Sequence, residues 1–250
     1  MVRILSILTC VLLWSATQLQ AQEELVEQSA YTFKEILNVP YYDDPALSSD
    51  LTQLNLILPE GVEQPPVLMW LGGGAWAYVN RHQEMDLCRK MARQGIAVIS
   101  VGHRLSPQLL GKQKNPEGIQ HPEHIRDVAQ AFRWIHDHAA EFGYNPDQIY
   151  VGGFSCGAHL AALLASDKRY LESLGLSTAD IKAIIPVAGG YDIPHYRDEL
   201  IKENPAYLEN HIHAVFGESQ EQQQDEGFRN RAHVQQYSPK QARPPGRNPR

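Results

Sequence analysis

Residues Gly153-Phe154-Ser155-Cys156-Gly157 set a serine between two glycines, one two positions before it and one two positions after. That arrangement suits nucleophilic attack when it joins a strand to a helix. A sharp turn lifts the hydroxyl clear of the backbone, and the helix that follows aims its amide-rich N-terminus at the reacting carbonyl. Small neighbours at the two flanking positions let strand and helix approach closely. A structural glycine–serine turn is the plainer reading of the same five residues. Context favours the chemical one, because Tyr150 to Phe154 read as a strand and Ala158 to Ala165 (AHLAALLA) are strong helix formers.

A second stretch, Trp70-Leu71-Gly72-Gly73-Gly74-Ala75-Trp76, follows the apolar run that begins at Val67. Acyl transfer through attack on a carbonyl develops an oxyanion, which needs two or three backbone N–H groups already pointed at it. Gly73, Gly74 and Ala75 are the candidate donors here, and Cys156, directly after the serine, is the fourth. A tight turn alone would not need three consecutive glycines. The serine also needs a base and an acid. Asp192 follows a predicted strand, and His195, His211, His213 and His233 lie downstream of it, but nothing in the sequence singles out one imidazole. None of the 11 histidines has a metal-ligand spacing, and this chemistry calls for no cofactor or metal.

The elements that must position these residues read as strand and helix in turn. Leu54 to Leu58 form a short strand, with Tyr31 to Val39 as a candidate partner. Val67 to Leu71 is a continuous apolar run, as a strand buried on both faces should be, and Ile96 to Val101 is the next buried strand. Between them Met85, Cys88, Met91 and Ala92 recur on one helical face until Gly95. Leu105 to Gln120, with two prolines and two glycines, reads as a long functional loop. Pro122 then opens a helix whose apolar residues, Ile125 to Phe142, keep the 3.6 period up to Gly143. Ile181 to Val187 is a further buried strand, ending at Gly189-Gly190-Tyr191-Asp192. This alternation predicts an α/β domain, a mostly parallel sheet with helices on both faces.

Composition narrows the partners. The 250 residues are 43% apolar and carry 22 basic against 29 acidic side chains, a net charge of −7, which recommends neither nucleic acid nor an anionic membrane. A small-molecule substrate fits better. Arg3 and the apolar run Ile4 to Trp14, too short to span a bilayer, read as a secretory signal removed near Gln22. A lipoprotein signal at Cys10 is the rival, although the cysteine comes early and Thr9 is bulky. The mature chain, 22 to 250, would be secreted or periplasmic. Its Cys88 and Cys156 could form a bridge, but their places on a helix and beside the serine favour two separately buried thiols.

Three stretches resemble the α/β-hydrolase carboxylesterases of the hormone-sensitive-lipase and feruloyl-esterase-like (BD-FAE-like) group. WLGGGAW is similar to the family's H-G-G-[GA]-W loop and HRLSP, His103 to Pro107, to its Y-R-L-[SA]-P. The segment from His121 to Ala165 is similar throughout to the helix, strand and nucleophile turn. The resemblance implies an α/β-hydrolase fold, a carboxylic ester hydrolase with Ser155 as nucleophile, and framework roles for Asp127 and Trp134. It also implies departures. Gly72 stands where the family has a histidine bracing the oxyanion loop, and Cys156 replaces an alanine. The family's acid and histidine follow its seventh and eighth strands, and no such strands are legible before the chain closes on RPPGRNPR. The chain is therefore expected to be C-terminally incomplete. A prolyl-oligopeptidase-like peptidase is an alternative reading, and so is a non-catalytic binding or scaffold protein that keeps the fold.

Overall fold

A computed structural model describes residues 30–218. The signal segment, His233 and the terminal RPPGRNPR lie outside the described residues. Six strands form one sheet: β1 (Phe33–Pro40), β2 (Gln53–Pro59), β3 (Val67–Leu71), β4 (Ala97–Val101), β5 (Ile149–Phe154) and β6 (Ile181–Val187), in the order β1-β2-β4-β3-β5-β6. β1 and β2 pair antiparallel, as do β2 and β4; β4, β3, β5 and β6 run parallel. The longer helices are α1 (Met85–Ala92), α2 (Glu123–Asp137), α4 (Cys156–Ser166) and α6 (Ile193–Glu203). Short helical turns form α3 (Ala139–Phe142), α5 (Arg169–Glu172) and α7 (Ala214–Phe216).

The apolar runs decide which strands are central. Every residue of β3 and β4 is buried, and strand alternation sends their side chains to two separate cores. Val67, Met69, Leu71, Ala97, Ile99 and Val101 join the larger core with α2 and α4. Leu68, Trp70 and Val98 face the other side, where Met85, Cys88 and Ala92 of α1 close over them. Both thiols are buried and unbridged. Burial pushes the Cys88 thiol up to about 12, so it packs as a small hydrophobe. Among the described residues β6 has one paired side, and Ile185 and Val187 are exposed on it.

The sequence predicts one helix from Pro122 to Phe142, and the structure divides it at His138. There the backbone leaves helical angles, at φ −98° and ψ 11°. The His138 ring lies over Trp134, its centroid 4.1 Å away, and Nδ1 meets the Trp134 carbonyl oxygen at 2.8 Å. The side chain thereby takes up a carbonyl at the helix end, and the apolar period resumes in α3 one residue later.

Asp127 on α2 is fully buried and collects four partners. Its carboxylate accepts the Arg104 backbone N–H at 2.9 Å, the Arg104 guanidinium at 2.7 and 2.9 Å, and the Tyr42 hydroxyl at 2.8 Å. The strand that feeds the HRLSP loop is thus tied to both α2 and the segment after β1. Asp127→Ala would take most of the hydrogen bonds from the half-buried Arg104 guanidinium, leaving Glu123 at 3.2 Å as its acidic partner. The expected loss is about 3 kcal/mol of stability, read as a lower urea midpoint at unchanged slope.

Candidate active site

β3, β5 and β6 are adjacent and parallel, so their C-terminal ends open at one edge of the sheet, where α/β folds bind ligands. Leu71 is level with Gly153, and Phe154 with Val187. Ser155 follows at once. Its backbone sits at φ 52° and ψ −117°, a conformation unfavourable for a side-chain-bearing residue. Two bonds over-determine it: the Ser155 N–H donates to the Val187 carbonyl at 2.9 Å, and the Ser155 carbonyl accepts from the His159 N–H at 3.1 Å. α4 starts at Cys156, so the first-turn amides point past the serine without intrahelical acceptors.

The glycine loop follows β3 on the neighbouring strand end. Ala75 and Trp76 both hold positive φ, 49° and 57°. Trp76 is buried, with its ring edge-on to His159 at 5.3 Å and to Phe216 at 5.0 Å, and this anchors the loop in the larger core. The Cys156 thiol lies beneath the loop, 3.7 Å from the Gly72 carbonyl oxygen. Burial raises it to about 11, against an opposing pull from the neighbouring backbone of Trp76, Gly157, Gly74 and Ala75. The glycine loop and the start of α4, which carry the candidate donors Gly74, Ala75 and Cys156, are thus in contact beside the serine. Gly73 differs from them: its N–H is directed at the Glu84 carboxylate, 3.4 Å away.

The remaining candidates are placed as follows. Asp192 caps α6, its Oδ1 accepting the His195 N–H at 3.1 Å. His211 is buried beside Trp76, with Nε2 3.3 Å from the Tyr196 hydroxyl, and burial lowers its pKa. His213 Nδ1 lies 3.2 Å from Glu209. Among the described residues no imidazole hydrogen-bonds to the Ser155 hydroxyl. Sequence reading missed Glu84, whose partners are a strand residue and a loop amide 14 and 11 positions earlier. It also missed His159, which reads in the sequence as one more residue of an apolar helix.

His159 is fully buried with neither ring nitrogen hydrogen-bonded, and burial holds it down to about 3 from an ordinary 6.5. Burial lowers His103 and His124 as well. A base whose pKa is lower folded than unfolded takes up its proton first in the unfolded chain, so acid favours unfolding. The His159 contribution is intact above about pH 6.5 and is lost progressively from there down to about 3. The loss should reach about 2 kcal/mol by pH 5. Urea midpoints at pH 7 and pH 5 should differ accordingly, and His159→Phe should narrow the difference.

The family model described as BD-FAE matches residues 54–242. The probable carboxylic ester hydrolase LipM of Mycobacterium tuberculosis is 32% identical over 139 residues, 54% of this chain and 30% of that protein. Esterase LipQ of the same organism is 35% identical over 133 residues, 51% of this chain and 29% of that protein. The chain spans about three-tenths of the length of these two relatives. Among solved structures, an inhibited esterase B from Lactobacillus rhamnosis superposes with a TM-score of 0.60 at 21% identity, covering 83% of this chain and 65% of that one. The fold is the α/β-hydrolase fold.

Proposed function

Because the chain belongs to the BD-FAE family, we propose that it serves a carboxylic ester hydrolase whose nucleophile is Ser155 and whose substrates are small-molecule esters. One observation carries this reading: a serine held at φ 52° between β5 and α4, one strand away from a glycine loop whose Gly72 carbonyl meets the Cys156 thiol. In this scheme Ser155 Oγ bonds to the ester carbonyl carbon and gives its proton to an imidazole base. The carbonyl oxygen becomes an oxyanion facing the amides of Gly74, Ala75 and Cys156. The tetrahedral species collapses, the alcohol leaves with the proton, and water hydrolyses the acyl-serine to the acid. The base is a histidine that no described residue supplies by a hydrogen bond to Ser155; His233 lies outside those residues.

The lack of a bonded base among the described residues favours a second reading, a binding or scaffold protein on the same fold. Turnover separates the two. An esterase releases p-nitrophenol from short acyl esters faster than it releases p-nitroaniline from the matching anilides. A folded chain that releases neither above the buffer rate supports the scaffold.

A further inference from the structure

Gly72 carries no side chain, yet the loop it opens is held from the side to which a side chain there would point. A Cβ built on Gly72 would lie 3.7 Å from Glu84 Oε1 and 3.8 Å from Val79 Cγ1, so the Glu84 carboxylate fills the adjoining space. Glu84 stands immediately before α1, whose first turn packs on Trp70 and Leu68 in the smaller core. Its two oxygens have separate partners. Oε2 accepts the indole N–H of Trp70, the penultimate residue of β3, and Oε1 accepts the backbone N–H of Gly73 at 3.4 Å. One carboxylate therefore links the start of α1, the end of β3 and the first turn of the glycine loop.

We propose that Glu84 is a positioning residue, which fixes the Gly72–Trp76 loop by binding the Trp70 indole and the Gly73 amide, so that the amides of Gly74 and Ala75 are left for the substrate oxygen. Gly73 is then part of the brace, not a donor to the oxyanion. The inference rests on ester hydrolysis at Ser155 for its catalytic consequence, while the brace itself is a property of the folded chain. A carboxylate suits this role because it accepts at both oxygens; glutamine accepts at only one and presents an N–H₂ to the other partner. Without the brace, a loop holding positive φ at Ala75 and Trp76 has less to oppose its relaxation, and a donor displaced by about 1 Å can cost on the order of 100-fold in rate.

The test compares wild type with Glu84→Gln in two measurements on the full chain. In the first, proton–nitrogen NMR follows the Trp70 indole, identified by its loss in Trp70→Phe, and the Gly73 amide. Both resonances should move upfield in Glu84→Gln as their charged acceptor is lost, while the dispersion of the rest stays native. In the second, a fluorophosphonate probe of Ser155 should show a maximal labelling rate reduced about 10- to 100-fold, with little change in the half-saturating probe concentration. Unmoved Trp70 and Gly73 resonances overturn the brace. Moved resonances with an unchanged labelling rate overturn its positioning role. If wild type itself fails to label, the proposed reaction falls, and the resonances alone decide whether Glu84 holds the loop.

Discussion

Replacing Ser155 by alanine should reduce turnover of short p-nitrophenyl esters by at least about 10³-fold, with no comparable change in stability. The hydroxyl is the group that forms the acyl bond, so its loss removes the covalent route; oxyanion donors and binding leave only a residue of catalysis. Stability should stay within about 1 kcal/mol, because alanine inherits the same positive φ and the two backbone bonds that hold it, to Val187 and from His159. Steady-state rates with matched urea denaturation check both halves. A variant that keeps most of its turnover would remove Ser155 from the mechanism.

Gly157→Ala should be damaging for the opposite reason, a purely steric one. A Cβ there would press on the Leu71 carbonyl oxygen far inside van der Waals contact, with the Leu71 carbonyl carbon at 2.6 Å and the Gly72 oxygen at 2.7 Å. All three are backbone atoms at the end of the central strand β3, so no side chain can rotate away. Either α4 moves off the sheet or the strand end shifts. The expected cost is about 3 kcal/mol or more, a fall of roughly 6–12 °C in Tm for a domain of this size. The same displacement moves the Cys156 N–H relative to the glycine loop, so the fraction that remains folded should also lose activity. A variant as stable and active as wild type would contradict the close packing of α4 on β3.

These two residues also mark how much was legible in the sequence. The small-residue spacing around Ser155 is a local steric signal, and the five-residue apolar run of β3 and the mainly apolar β4 state their own burial on both faces. Alternation of strand and helix states a mostly parallel sheet, but the spatial order β1-β2-β4-β3-β5-β6 is set by how the strands pair and was not legible. The α2–α3 break was not legible, because the apolar period continues across it and only the contact of the His138 ring with Trp134 marks the end. Asp127 entered through a family likeness, and its donors come from Arg104 after β4 and Tyr42 after β1, which no local pattern links to α2. Glu84 was hidden for the same reason: its partners are set by how α1 lies on the sheet, and its neighbours in sequence look like an ordinary polar helix start. The acid and base were not legible because a triad is defined by convergence in space, and several histidines downstream of Asp192 share one unremarkable context.

The central claim is that Ser155 is an activated nucleophile on this fold, and covalent capture tests it most directly. The folded chain is treated with a fluorophosphonate, digested, and its peptides are mapped by mass. The account predicts one stoichiometric adduct, on the peptide carrying Gly153-Phe154-Ser155-Cys156-Gly157 with the mass on Ser155, and none in Ser155→Ala. A folded chain that takes up no label, or takes it up equally in Ser155→Ala, would contradict it.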